Sequence, residues 1–436
     1  MKKTNQYIKR RKHLSQALAP QSIAIARAAH YTFRNADVEN EWRQDSTFDY
    51  LTGINEAEAI LIISNISGET RSIIFCQTKD PKIEVWEGAR IGTKAMCAEY
   101  QMDEAYELKE LDEKMPTLLM GCKQIYFDFG DDSPFDQQIF NWIKQIKKQS
   151  RIGKQAPQSL HFLNPLVSAM RLYKDDQEQA LMREAGRISV IAHKKAMLYA
   201  QTQNNEAQIA AKLEYTMRQE GGERCAFGSI VASGANACTL HYRANNQPYD
   251  DNSLMLIDAG TEYQGYASDI TTTFPTRGKF NDAQKAIYQA VLTTHQAVLS
   301  QCKVGQNFDT LHQLSCHHIC EQLVNLDILQ GDIEKLLEEK SYLPYYMHRI
   351  GHWIGRDVHD VGSYREGENW QPLEAGMALT IEPGIYILPN ENVDKKWWNI
   401  GVRIEDTILI TENGYENLTA GLPRTIEEIE TYLNTN

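Results

Sequence analysis

The hydrophobic pattern changes character near residues 165–172. Before that point, short apolar runs at 60–64, 72–76 and 124–128 are bounded by Gly, Asp and Lys, and a helical-period stretch covers 133–148. Such short bounded runs predict buried strands, and apolar residues spaced by three and four predict a helix. After it, 174–199 carries a longer helical pattern, with Asp175 and Asp176 in its first turn. Negative charge there suits the helix dipole. Further helices are predicted over 205–219, 281–301, 308–325 and 332–340, and strands over 254–258, 266–274, 378–381 and 402–410. The pattern therefore predicts an α/β domain over residues 1–170 and an α+β domain over 171–436.

At 436 residues, 42% of them hydrophobic, the chain has the material for two cores. The formal charge of −13 argues against a nucleic-acid partner, which requires a basic face, and gives no reason to expect attraction to anionic membranes. No run approaches the ~18 apolar residues that span a bilayer. The basic segment 1–12 lacks a following apolar region and reads as the solvated face of a first helix, not as a secretion signal. Eight cysteines are scattered without a CxxC pair, which predicts reduced thiols and a cytoplasmic location. Cys316 and Cys320 bracket two histidines but stand four apart on an amphipathic helix. No second ligand pair flanks them, so they read as helix packing and not as a zinc site.

Acidic residues and histidines concentrate in four segments of the second domain. Asp258 ends an apolar strand, and Asp269 falls in the next one, so a hairpin can bring both carboxylates to one side. Glu382 interrupts an apolar strand before Pro383-Gly384. Arg403 and Glu405, two apart in a predicted strand, point to one face. His348, His352 and His359 share one loop segment. Each residue alone has a plain structural reading: a turn Asp, a Glu paired with Arg403, loop histidines. Together, Asp258, Asp269, His352, Glu382 and Glu405 supply more hard donors than one small ion needs. They suit two divalent ions sharing carboxylates, with an oxygen-rich set that favours manganese, cobalt, iron or zinc over a thiolate site.

At these residues the sequence resembles the pita-bread metallopeptidases, a group that includes methionine aminopeptidase, prolidase and aminopeptidase P. The words IDAG (257–260), SDITTTF (268–274), HRIGHWIGRDVHDVG (348–362), TIEPGIY (380–386) and GVRIEDT (401–407) match in order and spacing. The first domain resembles the creatinase-type N-terminal domain. Within the group the chain is most similar to the bacterial Xaa-Pro aminopeptidase branch, through RQDSTFDYLTGIN (43–55), SIVASGANACTLHY (229–242) and the pair His352-Trp353. One departure is Arg356, where an apolar residue is expected.

The resemblance implies an α/β creatinase-type domain followed by an α+β pita-bread catalytic domain. It implies that Asp258 chelates one ion, that Asp269 and Glu405 bridge two, and that His352 and Glu382 complete the other, with manganese the first choice of metal. It implies that His241, His348 and His359 line the substrate site, with Arg403 supporting the ligands and Asp37 a weaker candidate for holding the substrate amine. Glu382 is then the proton shuttle, His359 helps stabilise the oxyanion, and a metal-activated water attacks the Xaa-Pro bond. Trp86 resembles a tryptophan that reaches a neighbouring subunit, which implies a homo-oligomer, dimer or tetramer; the plain alternative is a half-buried strand residue. The competing functions are a prolidase restricted to Xaa-Pro dipeptides, a metal-free creatinase-like hydrolase, and a non-catalytic binding module on the same fold.

Overall fold

The computed structural model describes residues 4–66 and 68–435 and divides into two compact units, Met1–Met170 and Arg171–Asn436. The first is built on a six-stranded mixed sheet in the order Glu104–Glu107, Arg71–Cys76, Ile60–Ser64, Ser22–Arg27, Gln124–Tyr126, Ser159–His161. Side chains alternate across a strand, and here both faces are apolar. Ala24, Ala26, Leu61, Ile63 and Ile74 enter one core, while Ile23, Ile25, Ile60, Ile62 and Ile73 enter the other. The second core is closed by the helix Ser133–Lys147 through Phe135, Ile139, Trp142 and Ile146. Asp132 caps that helix by accepting from the Phe135 amide at 3.1 Å.

Two expectations for this unit are corrected. Residues 1–3 of the basic segment lie outside the described residues, but Arg10 and Arg11 of the helix Thr4–Ala17 are buried, not solvated. Arg11 donates to the Ser72 hydroxyl and to the carbonyls of Leu51 and Tyr100, each at 3.1 Å. These acceptors are mostly main-chain oxygens, which the sequence does not mark, and burial pulls the Arg11 pKa down to about 10. Trp86 is in neither a strand nor a half-buried place. It lies on the helix Pro81–Glu87 and is 87% exposed. The start signal was present as Asp80-Pro81: the Asp80 carboxylate accepts from the Lys82 amide at 2.9 Å, and proline fits the first helical position.

In the second unit, Leu254–Asp258 is the middle strand of an antiparallel sheet between Ile230–Ser233 and Thr271–Pro275. Ala378–Ile381 pairs with Asp406–Thr411, and Gly384–Ile387 pairs with Ile400–Arg403. The helices Asp176–Ala200, Glu206–Gln219, Asp282–Leu299 and Phe308–Asn325 share one core with the three-stranded sheet and the Gly384–Ile387/Ile400–Arg403 pair, through residues such as Ala196, Leu213, Val291, Leu323, Ile257 and Val402. The first of them starts with a capping box. Asp175 accepts from the amides of Gln177 and Glu178, and Glu178 returns a bond to the Asp175 amide at 3.1 Å. Cys316 and Cys320 are buried on the helix Phe308–Asn325. Arg356, the unexpected polar residue, is buried with its guanidinium 4.7 Å from the Tyr266 ring centre, a cation–π contact that makes an arginine tolerable there. Among the described residues, no helix is long and apolar enough to cross a membrane.

The predicted strands 266–274 and 402–410 are each broken once, and the breaks fall on ligand candidates. Asp269 lies between Tyr266–Ala267 and Thr271–Pro275, and Glu405 lies between Ile400–Arg403 and Asp406–Thr411. At these points the main chain leaves its own ladder. The Asp269 amide donates to the Thr407 hydroxyl at 3.1 Å, and the Glu405 amide to the Thr271 carbonyl at 3.1 Å. Arg403 and Glu405 therefore do not share a strand face. The sequence hid the breaks because these strands are buried on both sides, which removes the alternation that would reveal a change of direction.

Candidate metal centre

Asp258 is the last residue of the middle strand and pairs with Thr271, two residues beyond Asp269. Both turns beside the ligand candidates are tight enough to require glycine. A Cβ at Gly260 would overlap the Ser268 carbonyl, and one at Gly351 would overlap the Thr380 carbonyl. These close approaches bring the segments of Asp258, Asp269, His352 and Glu382 together. Asp258, Asp269, His352, Glu382, Glu405, Arg403, His241, His348 and His359 all line one cavity of about 440 Å³. Asp37 belongs to the first unit, exposed in the turn between Phe33–Asn35 and Val38–Glu39.

Ligand atoms of Asp269, His352 and Glu405 lie within 4.8 Å of one another. The His352 Nε2 is 3.5 Å from Asp269 Oδ2 and 3.7 Å from Glu382 Oε1. Its Nδ1 lies 3.0 Å from the Trp353 carbonyl, which only accepts. Nδ1 therefore carries a proton, which leaves Nε2 as the ring nitrogen turned toward the carboxylates and placed to serve as an imidazole ligand. Glu405 Oε2 accepts from the Thr271 hydroxyl at 2.7 Å. Asp258 Oδ2 accepts from Arg403 Nη2 at 2.6 Å.

Charge does not balance within this group. Four carboxylates have a single buried guanidinium among them, that of Arg403, and the buried oxygens Asp258 Oδ1 and Asp269 Oδ1 have no hydrogen-bond partner. Burial drives the pKa of Asp269 well above the usual carboxylate range, and the charges of Asp258 and Glu382 push it further. Glu405 is raised for the same reason, burial first and then Asp269. Buried like charges with orphaned oxygens are costly unless a cation joins them. The donor set, oxygens plus one imidazole, fits divalent metal ions.

Two supporting groups escaped the sequence reading. The Tyr386 hydroxyl accepts from Arg403 Nη1 at 2.9 Å and lies 2.9 Å from His348 Nε2. His348 Nδ1 is 2.8 Å from the Arg349 carbonyl, so both of its ring nitrogens are engaged and no N–H remains for an oxyanion. Burial and the Arg403 charge hold His348 neutral, with its pKa lowered to about 3. His359 is open to the cavity, its ring centre 4.2 Å from that of His352, and is the imidazole with donor capacity to spare. Thr271 and Thr407 are the second kind of support: short hydroxyls that hold Glu405 and the Asp269 backbone. The signal for Thr271 was its place in the TTT run, on the face shared with Thr273, whose hydroxyl donates to the Arg403 carbonyl at 2.9 Å.

This fold and donor set define a metallopeptidase, and comparison with known proteins places it. Residues 180–412 match metallopeptidase family M24, and residues 7–126 match the aminopeptidase P N-terminal domain. The chain belongs to metallopeptidase family M24. It is 37% identical to the Xaa-Pro aminopeptidase of Escherichia coli (strain K12), over 98% of this chain and 96% of that one. Among solved structures it is similar to Pseudomonas aeruginosa aminopeptidase PepP, with a TM-score of 0.96 and 43% identity over 99% and 98% of the two chains. It is likewise similar to E. coli aminopeptidase P with the inhibitor Pro-Leu, with a TM-score of 0.95 and 37% identity over 99% and 98%.

Proposed function

We propose that the protein is a Xaa-Pro aminopeptidase that releases the N-terminal residue from peptides with proline second, using two divalent ions held by Asp258, Asp269, His352, Glu382 and Glu405. The observation that carries this reading is the convergence of four carboxylates and one imidazole around oxygens that lack partners. The names of the relatives supply the substrate class, and one relative's structure holds a dipeptide with proline first. Manganese is the first choice, with cobalt, zinc and iron as alternatives.

Bound divalent ions would supply Lewis acidity and a nucleophilic water at neutral pH. The chain's own residues do the rest. Glu382, its side chain 19% exposed against 7% for Asp269, opens furthest toward the cavity and is placed to take a proton and pass it to the proline nitrogen. Arg403 fixes Asp258 and, through Tyr386, the His348 ring. His359 offers an N–H to the developing oxyanion, and His241, exposed on the cavity wall, contacts the proline side. A proline amide has no N–H, so a wall that fits the ring replaces strand-like docking as the source of specificity. Asp37 is the weaker candidate for the substrate amine. The exposed Val85 and Trp86 support a homo-oligomer, and eight cysteines that form no disulfide among the described residues support a cytoplasmic location.

The test is a panel of Ala-Pro-Ala, Ala-Pro and Ala-Ala-Ala with manganese-loaded protein. Alanine release from Ala-Pro-Ala but not from Ala-Ala-Ala is the expected result. Turnover of the dipeptide alone would make the protein a prolidase, a reading that the names of the relatives do not favour.

A further inference from the structure

Three arginines line the cavity: Arg403, Arg349 and Arg243. Arg403 is buried and bound to Asp258. Arg349 is bound to Asp309 at 3.3 Å, with its guanidinium 5.4 Å from the Trp370 ring centre. Arg243 has no hydrogen-bond, ion-pair or ring partner among the described residues, although the chain carries 58 acidic side chains against 45 basic ones. Its guanidinium is nevertheless placed. Nη1 lies 3.1 Å from where a Cβ of residue 228 would stand, so the bare backbone of Gly228 gives it a seat on the cavity wall. Arg243 also follows His241 by two residues in the same loop, and both are exposed, whereas Asp258, Asp269 and Glu405 are buried.

That contrast orients the cavity. An enzyme that removes one N-terminal residue holds that residue at the deep end, among the metal ligands, and lets the rest of the peptide run toward the mouth. On the exposed part of the wall, two residues after His241, stands a guanidinium with its donor fork unused, a shape that matches a carboxylate through two parallel N–H bonds. We propose that Arg243 binds a carboxylate on the residue that follows proline, and so makes the protein favour short peptides ending at that position or peptides with an acidic residue there. The inference rests on the aminopeptidase reading above and adds the leaving-side preference to it. On a protein of net charge −13, an exposed guanidinium on the cavity wall also offsets the repulsion an anionic peptide would meet.

The test compares Ala-Pro-Ala, which carries its own C-terminal carboxylate, with Ala-Pro-Ala-amide, which carries none, and Ala-Pro-Asp-amide, which carries one on the side chain. Arg243→Ala should raise KM about fivefold for at least one carboxylate-bearing peptide, leave kcat nearly unchanged, and leave both constants unchanged for Ala-Pro-Ala-amide, which also reports that the variant is folded. The two carboxylate-bearing peptides tell a chain end from an acidic side chain. The discrimination should shrink at high salt, because the site is exposed. Equal effects on the amide and the carboxylate peptides, or none on either, overturn the proposal while leaving the aminopeptidase reading intact. If wild-type protein cleaves none of the three, that reading fails instead. Calorimetric binding of Pro-Ala against Pro-Ala-amide then decides the role of Arg243 without turnover, tighter binding of the free acid that is lost in Arg243→Ala supporting it and equal binding overturning it.

Discussion

Two clusters of buried charge lie in the second unit, and they are built on opposite principles. In one, Arg171 meets Asp360 at 2.5 Å and Asp357 at 2.6 Å, and Lys174 meets Asp360 at 3.1 Å, with Arg171, Lys174 and Asp360 all at most 3% exposed. Here each carboxylate has a cation within 3.1 Å. In the other, four carboxylates share one buried guanidinium, and two buried oxygens have no partner. Burial is similar; the balance of charge is not. A closed cluster spends its charges on itself and reads as structure. An open one is stable only with cations that the polypeptide does not provide, and this deficit separates a ligand site from an ordinary ion pair.

The contrast can be attacked at its strongest point first. Asp269→Ala or Glu405→Ala should lower Xaa-Pro hydrolysis by roughly a thousandfold or more, as expected for losing several kcal/mol of Lewis-acid stabilisation, while the far-UV spectrum stays that of the wild type. Full activity in either variant would break the distinction at once. Asp360→Ala should do the reverse. It leaves Arg171 and Lys174 buried without their shared partner and should cost about 3–5 kcal/mol of stability in denaturant titration, with metal content per folded molecule unchanged. Loss of metal at unchanged stability would mean that the two clusters had been assigned the wrong way round.

Neutral buried imidazoles offer a third case. His193 and His295 have pKa values lowered to about 4, chiefly by burial. The unfolded chain takes up protons near pH 6.5 and the folded one does not, so their contribution is intact above that pH and is lost as pH falls toward 4. Melting temperature against pH should drop across that window. Its remaining flat there would show that these rings are not buried neutral. Removing metal with a chelator should abolish activity and lower stability by about 2.7 kcal/mol relative to protein holding metal at a hundred times its dissociation constant. The Asp360→Ala variant should show the same increment. Tyr386→Phe should have the smallest effect, about 1–3 kcal/mol in stability from the loss of its bonds to Arg403 and His348, and a modest fall in activity, measured side by side with wild type.

Much of this was legible along the chain because the ligands carry unusual chemistry in plain surroundings. A carboxylate ending a buried strand, as Asp258 does, stands out by its cost, and strands such as Ala378–Ile381 stand out by their composition. What was hidden is what has no chemical label. Arg10 and Arg11 look like surface charge because Arg11 is held largely by main-chain carbonyls that every residue possesses. The strand breaks at Asp269 and Glu405 look like continuous strand because residues on both faces are apolar or threonine. Tyr386 and Thr271 look like ordinary strand residues; only their registers across Gly384–Ile387 and Thr271–Pro275 aim them at Arg403 and Glu405. Arg424, which donates to the carbonyls of Thr271 and Glu405, gave no local signal.

The amide of Glu405 is tied to Thr271, and that of Asp269 to Thr407, so each break is closed by a segment far along the polypeptide. The full set of donors is then complete only when both segments are in place. Chain-closure entropy has to be met over the whole span from Asp258 to Glu405 before any cation gains its full set of donors. Loading with metal should consequently act as a reporter of global assembly: amide exchange at Asp269 and Glu405 should slow together with the most protected core amides, and a backbone nick anywhere between them should release the ions in a single cooperative step.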